Sequence, residues 1–295
     1  MSSACATSDT ALPPWFEAIE RIPLKSVQVQ GHRIAYLDTG DGPPVIFLHG
    51  FGGSMWQWEH QQALSSDLRV ITPDLLGSGL SDKPEIQYSP QDMMNFLTAF
   101  MDALEIPHAV LVGHSMGAGL AIGMALEHPE RLTKLVLVSG LPQHVMENLT
   151  NPTIRRALET RAPAWLVSCG NWLFGGFFAE RVLKDIVYDP ALLTPAVLDR
   201  SNRNRKRPGL FGPVMSAGKH LPVWESRFAT RMASITQETL IVWGEEDRVF
   251  PLAVGTQLHT TLPGSTFIAI PRAGHMPQWE QPQVVNRHLL RFLRP

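Results

Sequence analysis

Three side chains of this sequence could together act as a nucleophile and its activating partners: Ser115, Asp247 and His275. A serine hydroxyl becomes nucleophilic when an imidazole takes its proton, and a carboxylate orients that imidazole. Ser115 is the centre of the pentapeptide Gly-His-Ser-Met-Gly at residues 113–117. The chemistry expected of such a set is attack on a carbonyl carbon, followed by hydrolysis of the acyl-enzyme by water.

The pentapeptide lies between a predicted strand and a predicted helix. Residues 109–112 are an apolar run typical of a buried strand, and residues 118–128 are rich in Ala, Leu and Met. A strand, G-x-S-x-G and a helix in this order are typical of a nucleophile elbow. The turn strains the serine backbone, and side chains at Gly113 and Gly117 would collide with the neighbouring strand and helix. The helix N-terminus favours a developing negative charge near Ser115.

The two activating candidates each follow a predicted strand late in the chain. Asp247 follows the apolar run at residues 239–243, and His275 follows the run at residues 266–270. The order Ser, Asp, His is expected when G-x-S-x-G lies in a parallel sheet, whose strand ends form the ligand crevice. Glu245 and Glu246 stand beside Asp247 and could take its place.

Short apolar runs alternate with helical patterns along most of the chain, which predicts a mostly parallel sheet with helices on both faces, an α/β fold. A hairpin turns at Gln30-Gly31, and Ser89 is the predicted N-cap of a helix starting at Pro90. A short helical patch is predicted at residues 15–19. Further strands are predicted at residues 27–29, 33–38, 45–48, 69–72 and 135–138, and further helices at residues 55–64, 253–262 and 282–293.

The alternation stops between residues 141 and 234, where no clear strand pattern occurs. We interpret this stretch as a helical cap inserted into a core formed by residues 1–140 and 235–295. Its aromatic residues are expected to form mostly the cap's own core, with a subset facing the site. They are Trp165, Trp172, Phe174, Phe177, Phe178, Trp224 and Phe228. Gly175-Gly176 is a candidate hinge of such a lid.

A run of basic residues occupies positions 200–207 within this stretch. Its first interpretation is a solvated cap face. The alternative is attraction of an anionic substrate or of a lipid surface.

Composition excludes several classes of partner and location. The 295 residues are 44% hydrophobic and 18% charged with a net charge of −2, so nothing suggests nucleic acid as a partner. The two cysteines, Cys5 and Cys169, form no disulfide framework, and the first ten residues lack the pattern of a signal peptide. These features predict a cytoplasmic protein. Neither the composition nor the motifs indicate the oligomeric state.

One uncharged stretch, residues 162–179, approaches the length of a membrane span. Pro163 and several glycines interrupt it, so no transmembrane segment is predicted. Weak contact of the cap with a lipid surface remains an open alternative.

Several short motifs together resemble the α/β-hydrolase fold superfamily, in its branch with a serine nucleophile. They are His49-Gly50-Phe51-Gly52, Asp74 with Gly77-Ser78-Gly79, the pentapeptide at residues 113–117, residues 244–247 and Gly274-His275. The resemblance implies that Ser115 is the nucleophile, that His275 is the general base and then acid, and that Asp247 holds the imidazole. It also implies an oxyanion hole formed by the backbone N–H groups of Phe51 and Met116.

Other residues near these motifs are candidate substrate contacts. They are His49, Gly50, Gly52, Trp56, His114, Trp172 and Met276. His49 is expected to brace the oxyanion loop, and His114 is expected to pack beside the elbow. The remaining histidines show no metal-ligand spacing, so neither a metal nor a cofactor is predicted.

The function expected first is hydrolysis of a moderately apolar carboxylic ester, a small molecule with an apolar acyl or aromatic group. The stretch at residues 274–280, Gly-His-Met-Pro-Gln-Trp-Glu, resembles carbon–carbon bond hydrolases of aromatic ring-cleavage pathways. Residues 52–58 depart from those enzymes, in which Gly-Pro-Gly and a downstream Asn are expected. Carbon–carbon hydrolysis is therefore the alternative. A ligand receptor on a hydrolase scaffold and a side activity with peroxide are further alternatives.

Overall fold

The computed structural model describes residues 22–160, 162 and 164–294, and its frame is one eight-stranded sheet. The sheet order is β1-β2-β4-β3-β5-β6-β7-β8. The first two strands pair antiparallel, and β3 to β8 run parallel. The strands are β1 (Lys25–Val29), β2 (His32–Thr39), β3 (Pro44–Leu48), β4 (Arg69–Pro73), β5 (Ala109–His114), β6 (Leu132–Val138), β7 (Thr239–Gly244) and β8 (Thr266–Ile270). The predicted α/β class is confirmed, and the helical patch predicted at residues 15–19 lies outside the described residues.

Helices connect the strands and cover both faces of the sheet. They are α1 (Pro90–Ala103), α2 (Met116–Glu127), α3 (Val145–Asn148), α4 (Pro152–Glu159), α5 (Ala164–Ile186), α6 (Pro195–Arg205), α7 (Phe211–Arg227), α8 (Leu252–Thr261), α9 (Pro277–Glu280) and α10 (Pro282–Leu293). On one face Phe47 and Val112 pack with α10, and on the other Ile46 and Leu111 pack with α1 and α2. This two-sided burial explains why the strands are continuously apolar.

The segment predicted as an α-helix at residues 55–64 is a 3₁₀ helix, Met55–Ser66, interrupted at Trp58. A 3₁₀ helix repeats every three residues. Met55, Trp58, Gln61 and Leu64 are buried, and so are Glu59 and Gln62. The non-helical backbone at Trp58, with φ −113° and ψ 19°, breaks the segment and accounts for the difference from the predicted continuous α-helix.

Two predicted element ends are present in the structure. Gln30 and Gly31 both have positive φ, 51° and 83°, as a tight two-residue hairpin requires. Ser89 Oγ accepts the N–H of Asp92 at 3.1 Å, and the Asp92 carboxylate accepts the N–H of Ser89 at 2.9 Å. This reciprocal capping box fixes the start of α1.

Between β6 and β7, the described residues of 141–234, called the insertion below, form helices and no strand. Glu59 of the 3₁₀ helix accepts two hydrogen bonds from Arg200 of α6, at 2.6 and 2.9 Å, and one from Trp279 Nε1 at 2.7 Å. The insertion is thereby attached to the sheet-bearing part of the chain. Its definition as a separate cap domain remains a prediction.

Helix α5 exposes an apolar side to water. Trp172 is 70% exposed and Phe177 is 71% exposed, with Leu166, Leu173 and Phe178 also exposed. The prediction that these aromatic residues form mostly the cap's own core is wrong for Trp172 and Phe177. Phe178 also lines the cavity described below, as expected of the subset that faces the site. The prediction holds for Trp224 and Phe228, which are buried, whereas the side chains of Trp165 and Phe174 lie outside those described. The reason is that α6 and α7 pack against α5 and leave its outer side uncovered.

The helices of the described part of the chain are too short or too polar to cross a membrane. None of them combines the length and the hydropathy that a bilayer span needs.

The Glu59–Arg200 ion pair gives a stability prediction. The two side chains are 1% and 12% exposed, so Arg200→Met leaves a carboxylate buried without its cation. We expect the free energy of unfolding in urea to fall by about 3–5 kcal/mol. The double variant Glu59→Gln/Arg200→Met should recover much of this loss. Arg203→Met, at an exposed position of the same helix, is the matched control and should change stability by less than about 0.5 kcal/mol. Equal effects of Arg200→Met and Arg203→Met would contradict the prediction.

Candidate active site

Ser115 occupies a sharp turn between β5 and α2. Its backbone has φ 51° and ψ −115°, a conformation that residues with side chains rarely adopt. A Cβ added at Gly113 would lie 2.4 Å from the carbonyl oxygen of Gly117, and one added at Gly117 would lie 2.2 Å from that of Leu48. The collisions expected from the sequence are therefore present, and only glycine fits at both positions.

His275 and Asp247 form a buried hydrogen-bonded pair. His275 Nδ1 donates to Asp247 Oδ2 at 2.8 Å, and the two side chains are 6% and 0% exposed. The other oxygen, Oδ1, accepts the backbone N–H groups of Val249 at 2.7 Å and Phe250 at 3.0 Å. Because Nδ1 carries the hydrogen shared with Asp247, Nε2 is the ring nitrogen that can accept a proton.

The neighbouring acids are placed differently. Glu245 is exposed, and Glu246 uses its carboxylate to accept the N–H of Ala273 at 3.0 Å. Among the three acids that follow β7, Asp247 is the one bonded to His275.

Ser115 and His275 are linked indirectly, through His114. The Nε2 of His114 lies 2.8 Å from the carbonyl oxygen of His275, and the two rings are 5.0 Å apart. A carbonyl can only accept, so Nε2 is the donor. Ser115 follows His114 directly, and both Ser115 and His275 line one cavity.

The loop after β3 lies against the elbow. Gly50 donates its N–H to Gln57 Oε1 at 2.8 Å, and the same oxygen lies 3.2 Å from His114 Nδ1. A Cβ at Gly50 would lie 2.8 Å from His114 Nδ1, so glycine is required there. Phe51 and Met116, whose N–H groups are the predicted oxyanion donors, both line the cavity. Sequence reasoning missed Gln57, because no local pattern links it to the elbow.

His49 has hydrogen-bonding partners on both ring nitrogens, and His114 has one on Nε2. His49 Nε2 accepts the N–H of Leu75 at 3.1 Å, so its Nδ1 is the donor to Gly50 O at 3.0 Å. Burial lowers the pKa of His49 below its usual value, and burial and the nearby His275 hold the pKa of His114 well below it. Both rings are therefore neutral at pH 7 and act as braces, as expected from the sequence.

The cavity has a volume of about 720 Å³ and lies between the sheet loops and the insertion. Its lining is mostly apolar, as small-molecule pockets usually are. Among the described residues, no group of three His, Cys, Asp or Glu side chains is placed to hold a metal ion. Of the predicted substrate contacts, the cavity is lined by Gly52, Trp56, His114 and Met276.

Three predicted contacts are corrected, because His49, Gly50 and Trp172 lie outside the cavity lining. His49 is fully buried behind the oxyanion loop. Gly50 is also buried, with its N–H on Gln57. Trp172 lies on the solvent-facing side of α5. The side of α5 that lines the cavity carries Asn171, Gly175, Phe178 and Val182. The next residue along a helix is turned by about 100°, which takes Trp172 from that side into solvent.

The basic residues at positions 200–207 only partly form the solvated face that is their first interpretation. Arg203 and Lys206 are not in the cavity, and Arg203 is exposed, as expected of a solvated face. Arg200 and Arg205 instead line the cavity. The basic residues are divided in this way because residues three or four positions apart share one side of a helix. The cavity side of α6 carries Val197, Arg200, Ser201, Asn204 and Arg205.

The loop that carries His275 is tied to the insertion. His275 donates its N–H to the carbonyl of Ile186, the last residue of α5, at 2.7 Å. Glu280 accepts N–H groups from Gly274, Met276 and Tyr188. Burial raises the pKa of Glu280 above its usual value, although these N–H groups act to lower it. In the sequence, Glu280 is only the last residue of the motif at residues 274–280, and nothing there indicates its hydrogen bond to Tyr188.

Comparison with known proteins decides the family. A family model described as the alpha/beta hydrolase fold matches residues 43–282. The chain belongs to the α/β-hydrolase family. This confirms the resemblance drawn from the short motifs, and it makes the chain a hydrolase by family.

Individual relatives of this α/β hydrolase span nearly its whole length. It is 31% identical to the 2-hydroxy-6-oxo-6-phenylhexa-2,4-dienoate hydrolase of Burkholderia cepacia, covering 88% of this chain and 91% of the relative. It is similar to a mutant meta-cleavage product hydrolase from Pseudomonas fluorescens IP01, with 29% identity, a TM-score of 0.76 and coverage of 92% and 97%. A thermophilic esterase from Thermogutta terrifontis matches with 25% identity, a TM-score of 0.72 and coverage of 92% and 98%.

Proposed function

We propose that this α/β hydrolase cleaves the carbon–carbon bond beside a ketone in a hydroxy-oxo-dienoate, with Ser115, His275 and Asp247 as its catalytic residues. The observation that carries the proposal is the match to a dienoate hydrolase over 88% of the chain and 91% of that relative, insertion included. The buried His275–Asp247 pair and the placement of Ser115 in the same cavity support it. The ester hydrolysis expected first from the sequence becomes the second candidate.

The proposed reaction begins at the ketone. His275 Nε2 takes the proton of Ser115 Oγ, and Oγ adds to the ketone carbon. The N–H groups of Phe51 and Met116 stabilise the oxygen that becomes negative. Cleavage proceeds from the keto tautomer of the substrate, in which the proton of the 2-hydroxyl has moved to the carbon beside the ketone. The carbon–carbon bond then breaks, its electron pair passes through the neighbouring double bond onto the 2-oxo group of the departing fragment, and His275 returns the proton to that fragment. Water hydrolyses the remaining acyl group and regenerates the Ser115 hydroxyl.

The second candidate is a carboxylic ester hydrolase that uses the same residues. The mostly apolar lining of the cavity favours it, and so does the engagement of Arg200 by Glu59, which neutralises one of the cations that line the cavity. The departure of residues 52–58 from the pattern of carbon–carbon bond hydrolases also favours ester hydrolysis. The similar thermophilic esterase shows that this fold carries ester chemistry in another protein.

A direct comparison of substrates tests the two candidates. The purified protein is assayed with 2-hydroxy-6-oxo-6-phenylhexa-2,4-dienoate, followed by loss of its colour, and with para-nitrophenyl esters of graded acyl length. We expect kcat/KM for the dienoate to exceed that for every ester by at least about tenfold, which is about 1.4 kcal/mol of transition-state stabilisation.

Faster hydrolysis of an ester than of the dienoate would establish the second candidate instead. Turnover of neither class would contradict the serine-hydrolase mechanism and leave the receptor alternative.

A further inference from the structure

Arg205 presents a positive charge to the cavity from the last turn of α6. Its Nη1 donates to the carbonyl of Asn171 on α5 at 2.6 Å, and Asn171 Nδ2 donates back to the Arg205 carbonyl at 3.2 Å. Its Nε is buried and donates to no acceptor among the described residues. Part of the hydrogen-bonding capacity of this guanidinium is therefore unused.

No carboxylate in the described part of the chain forms an ion pair with Arg205. Arg200, on the same side of the same helix, differs because Glu59 binds it through both oxygens. Burial lowers the pKa of Arg205, and no neighbouring charge contributes to the shift. An arginine stays protonated at pH 7 even so. The cavity therefore contains one cation that is compensated and one that is not.

The surface of α5 under Arg205 is formed by two glycines. A Cβ at Gly175 would lie 2.7 Å from Arg205 Nη1, and one at Gly176 would lie 3.2 Å from Nη2. The guanidinium can occupy this position because both residues lack a side chain. Helix α5 continues through both positions without a break, so this contact, rather than a hinge, accounts for the Gly175-Gly176 pair.

We propose that Arg205, flanked by Asn171 and Asn204, binds a carboxylate of the substrate at the end remote from the scissile carbonyl. The proposal rests on the serine-hydrolase reaction in the same cavity and assigns a residue to the carboxylate end of its substrate. Arg205 belongs to the insertion and Ser115 to the sheet, so a substrate held by both must reach across the cavity. A guanidinium in a mostly apolar cavity forms strong charge-assisted hydrogen bonds with a carboxylate.

Two esters that differ in one terminal group test this site. They are para-nitrophenyl hexanoate and the mono-para-nitrophenyl ester of adipic acid, which have acyl chains of equal length and differ in the terminal carboxylate. For Arg205→Met we expect kcat/KM on the adipate ester to fall about 10- to 100-fold, the range for losing a charge-assisted hydrogen bond. The hexanoate ester should lose less than about threefold. Arg205→Lys should recover part of the adipate rate, and Arg203→Met, which removes an exposed cation of the same helix, is the matched control.

The outcomes separate a binding role from a structural one. An equal loss on both esters, with a lower urea midpoint, would assign Arg205 to joining α5 and α6 and would overturn the proposal. An unchanged ratio of the two rates would also overturn it.

Calorimetric titration with adipate measures the same site without turnover. It therefore still decides the question if the protein hydrolyses neither ester, and it decides independently of whether the dienoate is a substrate. Binding of adipate to the wild-type protein but not to Arg205→Met is the expected result. If Arg205→Met does not fold, Arg205→Lys is titrated instead, and binding as tight as in the wild-type protein overturns the proposal.

Discussion

Replacing Ser115 with Ala is expected to lower kcat by about 10⁴- to 10⁶-fold on whichever substrate the protein hydrolyses fastest. The variant loses the oxygen that the proposed mechanism adds to the carbonyl carbon. Alanine keeps a Cβ, so the strain at φ 51° is the same in both proteins and the fold should be retained. The measurement is steady-state turnover, with the urea midpoint recorded for both proteins.

Ser139→Ala is the matched control for this experiment. Ser139 is also a buried serine with positive φ at the end of a parallel strand, but it lies outside the cavity lining. Its hydroxyl is buried without a partner among the described residues, so removing it should cost little. Turnover by Ser115→Ala equal to that of Ser139→Ala would rule out the proposed nucleophile.

The second large effect is expected for Asp247→Asn, which should lower kcat by about 10³- to 10⁴-fold. An Asn at this position can present its amide N–H₂ to His275 Nδ1. That arrangement favours the ring form with hydrogen on Nε2, which cannot accept the serine proton. The substitution exchanges one carboxylate oxygen for an amide nitrogen of similar size, so packing should change little. The loss of kcat then reflects the tautomer of His275.

Glu245→Gln makes the same chemical change two residues away, at an exposed position. It should leave kcat within about twofold of the wild type, because surface substitutions are usually mild. Comparable losses in Glu245→Gln and Asp247→Asn would mean that the loop as a whole, rather than the carboxylate on His275, controls turnover.

The strands and the order of the catalytic candidates could be predicted because their signals are local. Each β-strand from β3 onward is an apolar run closed by turn residues, and the short motifs follow these strands directly. The parallel sheet then brings the strand ends to one edge, so residues as far apart as Ser115 and His275 line one cavity. Sequence pattern and strand topology together were sufficient for this part of the site.

Contacts between distant side chains could not be predicted in this way. Glu59 and Arg200 are 141 positions apart, and nothing in either local pattern indicates that they pair. The same applies to Gln57 beside His114 and to Glu280 beside Tyr188. These contacts depend on how the chain packs in three dimensions, which the order of motifs does not specify.

The orientation of α5 was unpredictable for a different reason. Residues 164–179 carry no formal charge, so no polar stripe marks the side that faces water. Its apolar residues suit burial on every side, and only the packing of α6 and α7 decides which of them are covered. Residue type alone therefore predicts Trp172 in the pocket, whereas the structure has it exposed and outside the cavity lining.

The uncovered side of α5 has a practical consequence for biophysical assays. Trp172, Leu173 and Phe177 offer environment-sensitive dyes a binding surface on the native protein. A dye-based thermal shift experiment should therefore start from high fluorescence and show a shallow transition. Circular dichroism, which needs no added probe, is the better choice for ranking the melting temperatures of the variants.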